Sequence, residues 1–319
     1  MNNTPFSLKQ FGSILMFGAM LVLAGCGGSG GGSSGTSTGT MSLRITDAAV
    51  DSAEHVYVQF HGIELQSADG KRTTLNYCED PMDATKTIVS DSACTTPPAP
   101  KQIDLLALNG GLADFLLDSF TLPSGHYSWA RLMVDTAGTL DSYIVVGGND
   151  FELTIPSGAE TGLKVNRGFD VPAGGHADFT IDFDLRKSVM LANNGYMLRP
   201  TLRMVDNTMV GAIAGTVDPS LIPSGCTPAV YVFSGAGATP DDIDTDNTNP
   251  DPVTTASVNP IDGKYTAAFL EAGDYTVAYT CDAAADDPAV DNTADNTVTF
   301  SNTATVTVTA NSTTPHNFP

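Results

Sequence analysis

The sequence predicts an all-β protein: two β-sandwich domains of the immunoglobulin-like kind behind an export signal and a flexible linker. Three observations predict it. Apolar residues recur with period two, as in Val56, Val58 and Phe60, or Phe179, Ile181, Phe183 and Leu185, the spacing at which side chains share one face of a strand. Turn signals punctuate these runs, among them Asp69-Gly70, Pro123-Ser124-Gly125, Gly147-Gly148-Asn149-Asp150 and Pro156-Ser157-Gly158. Helical spacing is plausible only over Ile103 to Leu117, which fits a short helix or a strand and turn. Short strands at such intervals build sandwiches or barrels.

Residues 1–25 read as a targeting segment. Lys9 precedes an apolar run, Phe11 to Gly25, that falls short of the roughly 20 residues a membrane-spanning helix needs. A basic n-region before a short h-region is a secretory signal. The run ends Leu23-Ala24-Gly25-Cys26, which resembles the lipobox of bacterial lipoproteins. The resemblance implies cleavage before Cys26 and a diacylglycerol on its sulfur, with palmitate-type acyl chains as the membrane anchor. Each buried methylene adds about 0.8 kcal/mol to such an anchor. Gly27 stands where an Asp would retain a lipoprotein in the inner membrane, so the resemblance points to the outer membrane. Residues 26–40 then form a Gly/Ser/Thr tether with nothing to bury.

The chain has 319 residues with five cysteines. An odd count in an exported protein needs an explanation, and lipidation of Cys26 supplies one. The other four are expected as disulfides, Cys78–Cys94 and Cys226–Cys281, one per domain. No CxxC or neighbouring His offers zinc spacing instead.

The two domains are expected at 41–206 and 207–319, with the boundary near Asp206–Met209. Beyond it Thr, Ala, Asp and Val dominate, and Lys264 is the sole Lys or Arg. Strands are read over Val210 to Val217, Ala229 to Phe233, Tyr265 to Phe269, Tyr275 to Tyr279, Val298 to Phe300 and Thr305 to Thr309.

The first domain carries Ile45-Thr46-Asp47-Ala48, Ile103-Asp104-Leu105-Leu106, Leu122-Pro123-Ser124-Gly125-His126-Tyr127, Asp182-Phe183-Asp184, Lys187-Ser188-Val189 and Leu198-Arg199-Pro200. In these it resembles an uncharacterised bacterial lipoprotein family known only as a domain of unknown function, DUF4382. The family brings no assigned activity. The second domain, through Gly215-Thr216-Val217, Ile261-Asp262-Gly263-Lys264-Tyr265 and Leu270-Glu271-Ala272-Gly273-Asp274-Tyr275, is similar to the carboxypeptidase-regulatory or transthyretin-like sandwich. That resemblance implies a spacer or binding unit.

Fourteen basic against 36 acidic residues give a net charge of −22. Such a surface repels polyphosphate, so nucleic acid is not expected as a partner. Three groups of residues hold candidate chemistry. Asp178, Asp182 and Asp184 share one strand face with Thr180, about 6.6 Å between neighbours. They are a candidate cation or ligand site, or partners for Lys164, Arg167, Arg186, Lys187, Arg199 and Arg203. Asp242, Asp244 and Asp246 have the spacing that opens a calcium loop, but Asn247 and Val253 stand where an EF-hand needs Gly and Glu. Calcium is the one cofactor this suggests. Trp129, with Tyr127, would line a sugar-binding face if exposed, although a lone Trp in a strand reads first as core.

None of the five His, His55, His61, His126, His176 and His316, has a metalloenzyme spacing. His61 and Glu64, three apart on a strand, are expected on opposite faces. No Gly-x-Ser-x-Gly elbow occurs. The expected function is therefore non-enzymatic: a lipid-anchored envelope protein whose sandwiches bind a glycan or an envelope protein. The alternatives are a carboxylate-dependent hydrolase using Asp182 and Asp184, which would need one raised pKa and a pocket, and a purely structural spacer.

Overall fold

The computed structural model describes residues 37–48, 53–136, 138–156, 158–192, 195–244, 250–288 and 298–319. Cys26 and most of the tether, Ser157, Asn193-Asn194 and Asp246 lie outside the described residues. Strand is the dominant secondary structure of the described part, and its helices are single turns. No helix among the described residues is long and apolar enough to cross a membrane.

The described residues form four sheets. The first has the strands Leu202–Asp206, His176–Asp184, Thr38–Ala48 and Asp114–Pro123 side by side, with the two central strands parallel. Its leading strand begins at Thr38, inside the expected tether, because Thr38 to Thr40 pair with Thr121 to Pro123. The second sheet has eleven strands. Its path runs Leu163–Val165, Gly125–Val134, His55–Ser67, Tyr143–Val146, Asn149–Thr154, Gly195–Leu198 and Val189–Ala192. Arg72–Asp80 and Lys101–Asp104 also pair with His55–Ser67. The stretch from Ile103 resolves into the end of that last strand and the 3₁₀ turn Leu105–Leu108.

Alternation explains why these two sheets face each other. Met41, Leu43, Ile45, Phe179, Ile181 and Phe183 project from one, and Val56, Val58, Phe60, Ile63 and Leu65 from the other, into one core. The inward series on His55–Ser67 changes from even to odd numbers at Gly62, where the pairing register shifts. A β-bulge there reverses the phase, so Glu64 shares the outer face with His61, against the expectation of opposite faces. Gly62 suits the bulge because a Cβ on it would lie 2.3 Å from the Leu75 carbonyl oxygen.

Turn residues Asn207–Met209 lead into the remaining sheets. One has Lys264–Glu271, Val210–Thr216 and Thr313–Pro315. The other has Thr254–Ser257, Ala229–Ser234, Gly273–Thr280 and Phe300–Val308. Ile213, Tyr265, Leu270, Val230, Val232, Val277, Val306 and Phe318 fill the space between them. The fold is all-β and built of facing sheets. Cys78 is bonded to Cys94 and Cys226 to Cys281.

Candidate functional site

The Asp178, Asp182 and Asp184 row projects from the first sheet on the face opposite Phe179, Ile181 and Phe183. That face is covered, since Ser42, Thr46, Thr180 and Asp182 are all buried. Asp178 accepts from Arg44 Nη1 at 2.5 Å and from Asn207 Nδ2 at 2.9 Å. Asp182 accepts from Arg203 Nε at 2.7 Å, and Arg203 sits directly opposite it in the ladder. The expected strand ends one residue early, at Asp184, whose Oδ1 accepts from the Lys187 backbone N–H and caps the single turn Leu185–Ser188. Burial pushes the Asp184 carboxyl up to about 6, against the pull of Lys187. The cavity that Asp182 lines, with Thr46, Thr254 and Phe269, has about 20 Å³, room for about one water.

The basic residues of this region hold the later sheets in place. Arg203 Nη1 donates to the Phe269 carbonyl at 3.0 Å, and Arg167 Nη1 to Glu271 at 2.7 Å. Lys187 Nζ donates to the Pro252 carbonyl at 2.8 Å and pairs with Asp251 at 3.1 Å. Arg186 is buried; its Nη1 donates to the Ala283 carbonyl at 2.8 Å, and its guanidinium lies 5.6 Å from the Tyr231 ring centre. Arg199 stays exposed, and Lys164 faces elsewhere. The carboxylate row is thus part of a polar seam.

The acidic loop gathers a different set from the one expected. Asp241, Asp242 and Asp244 bring one carboxylate oxygen each within 4.8 Å of one another. Asp241 was missed, although it adjoins Asp242. Asp286 anchors the loop by accepting from the Ile243 N–H at 3.2 Å and from the Tyr231 hydroxyl at 2.5 Å. Burial, with Asp242 nearby, raises the Asp286 carboxyl to about 6. Hard cations take such oxygens, but calcium uses six to eight, and at one oxygen each the three side chains among the described residues supply at most half of that.

The cationic cluster around Trp129 was not foreseen. The pairing register shifts between Gln66–Trp129 and Ser67–Tyr127, which leaves Ser128 unpaired. The bulge re-aims the chain: Tyr127 stacks inward on Phe169, whereas Trp129 leaves the core and lies on the outer face. Trp129 is nevertheless only 6% exposed, because Arg72, Arg131 and Lys164 stand 5.6, 4.9 and 4.8 Å from its ring centre. Cations over an aromatic face are attracted by its quadrupole. Glu64 bridges two of them, 3.0 Å from Arg131 and 3.5 Å from Arg72. Trp129 and Tyr127 therefore do not share a face; Trp129 is buried, as a lone strand Trp was expected to be, but beneath cations and outside the main core cluster. The sequence signal was Arg131, two residues on from Trp129 and too polar for the core face.

The His residues serve locally. His55 Nδ1 lies 2.6 Å from Asp104, His126 Nδ1 3.0 Å from Asp170 and His176 Nδ1 2.9 Å from the Thr40 hydroxyl. His316 packs edge-on against Phe318, and burial lowers its pKa.

Facing sheets joined by a buried polar seam, with a cationic cluster on an outer face, define an all-β protein of the paired-sheet class. The chain belongs to the family described as Domain of unknown function (DUF4382), which matches residues 38–200. No curated protein matches the sequence. Among solved structures, similarity extends to the Bacillus anthracis TIE protein at 11% identity and a TM-score of 0.20, covering 87% of this chain and 33% of that one. A minor pilin of Streptococcus agalactiae shows 10% identity and a TM-score of 0.20, covering 87% and 94%. The major pilin subunit of Bacillus cereus shows 11% identity and a TM-score of 0.19, covering 88% and 99%.

Proposed function

We propose that the chain is a non-enzymatic lipoprotein, anchored by acyl chains on Cys26 to the outer membrane, that binds an envelope partner through the outer face of its eleven-stranded sheet. The second pair of sheets serves as a transthyretin-like spacer. One observation carries the reading. Asp178, Asp182 and Arg203 of the first sheet are engaged in the seam, whereas Arg72 and Lys164 over Trp129 remain exposed. The lipobox and the oxidised cysteine pairs support an exported location. A hydrolase would draw on Asp184, whose proton is held up to about 6 beside Asp182. Against it, Asp184 caps a helical turn, and the cavity at Asp182 admits about one water.

Labelling of growing cells with a fatty-acid probe tests the anchor. Label is expected on the whole chain and lost in Cys26→Ser; label that persists in the variant overturns it. A retention screen of the whole chain against envelope polysaccharides and envelope proteins tests the binding role, and retention of none of them overturns that role.

A further inference from the structure

The geometry points to a carboxylated polysaccharide as the ligand of the Trp129 face; this rests on the binding role proposed above. The cluster crosses four adjacent strands. Lys164 pairs in register with Arg131, Arg131 with Glu64, and Gln66 stands between Trp129 and Arg72. At strand spacing that is about 14 Å across the sheet. Three cations and one carboxylate leave the patch net positive on a chain of net charge −22. The Arg72 and Arg131 guanidinium groups lie beside the indole and are both held by Glu64. Their N–H edges then meet a carboxylate in a paired, fork-like fashion. Gln66 and Thr74, on the same outer face, add neutral groups suited to sugar hydroxyls.

Other anionic partners fit less well. Gly125–Val134, His55–Ser67 and Arg72–Asp80 are interior strands with paired backbones, and the one free edge at the cluster, Leu163–Val165, offers only three residues, so an acidic peptide has little backbone to add to as a strand. The other end of this outer face, past the Gly62 bulge, carries Asp104, Asp135, Asp150 and Glu152 around Tyr57 and Tyr143. A flat anionic bilayer laid on the sheet would meet those carboxylates, whereas a single narrow chain would cross only the cationic rows. With a Debye length of about 8 Å at physiological salt, such a chain feels the patch more than the distant acidic surface.

Trp129 is the one tryptophan in the sequence, so its fluorescence reports on this site alone. The experiment titrates the chain carrying Cys26→Ser, which removes the acyl anchor and the need for detergent, at about 0.15 M salt, with polygalacturonate, dextran, polyglutamate and phosphatidylglycerol vesicles. A saturable change in Trp129 emission is expected with polygalacturonate and none with dextran. Arg72→Gln/Lys164→Gln should weaken the response at least about tenfold, equivalent to 1.4 kcal/mol, and Lys86→Gln should leave it unchanged. If circular dichroism shows the double variant unfolded, Lys164→Gln alone, at an exposed position, makes the comparison, with weaker binding expected. No response to polygalacturonate, undiminished binding by the variant, or an equal or tighter response to polyglutamate or the vesicles overturns the assignment. Should polygalacturonate fail while another envelope polysaccharide or protein retains the chain, this ligand class falls and the broader binding role stands.

Discussion

Asp182 and Arg203 face each other across adjacent antiparallel strands, with Arg203 Nη2 2.5 Å from Asp182 Oδ2 and Asp182 itself buried. The same guanidinium donates to the Phe269 carbonyl. One side chain thus neutralises a buried carboxylate and ties the first sheet to a later one. Removing one partner of such a pair leaves an uncompensated buried charge. Arg203→Leu is expected to lower unfolding stability by about 2–4 kcal/mol, read as a lower urea midpoint. Asp182→Leu/Arg203→Leu should recover part of that loss. Equal loss in the single and double variants would contradict the pairing.

Asp184 and Asp286 predict a pH dependence. Both carboxyls are raised by burial to about 6, above their unfolded values near 4. The native state therefore holds protons that the unfolded state has already released. Stability from these groups is full below about pH 4 and is lost as pH rises through about 6. Asp184→Asn keeps an oxygen to cap Lys187 and mimics the neutral form. Relative to wild type it should gain about 2 kcal/mol between pH 4 and pH 7, measured by denaturant titration at both. A difference that does not change with pH would contradict the burial account.

The disulfides differ in loop length, 55 residues for Cys226–Cys281 against 16 for Cys78–Cys94. In the chain-entropy model the longer loop contributes about 4 kcal/mol and the shorter about 3 kcal/mol. Cys226→Ser/Cys281→Ser should accordingly lower the thermal midpoint more than Cys78→Ser/Cys94→Ser. Calorimetry of the two variants checks the order.

Gly62 sets the phase of the strand that passes beneath the Trp129 cluster. Gly62→Ala would drive a methyl onto the Leu75 carbonyl and the Met133 side chain, an overpacking cost of about 1–3 kcal/mol. Gly273→Ala, where a Cβ meets nothing within 4 Å, should change stability by less than about 0.5 kcal/mol. Urea midpoints of the pair make the comparison.

What sequence reasoning reached and missed follows from the same geometry. Period-two runs such as Phe179, Ile181 and Phe183 revealed strands and their core faces, because burial on one side enforces alternation. Thr254–Ser257 escaped notice because Thr, Ala and Ser carry little apolar contrast even when buried. Bulges broke the rest. Gly62 inside a strand pattern is a recognisable bulge signal, whereas nothing at Ser128 marks the shift that parts Tyr127 from Trp129. The convergence of Arg72, Arg131 and Lys164 on one ring depends on strands brought together by the fold, so no local pattern announces it. The acidic row was legible as a strand face, but its covering by Thr254–Ser257 and Phe269 was not.

The outer face around Trp129 as the place where this protein meets its envelope partner is tested most directly by an array of envelope polysaccharides, probed in parallel with the whole chain and with Arg72→Gln/Lys164→Gln. The account predicts at least one polysaccharide that retains the wild-type chain and loses the variant. Retention of the same polysaccharides by both proteins would contradict it.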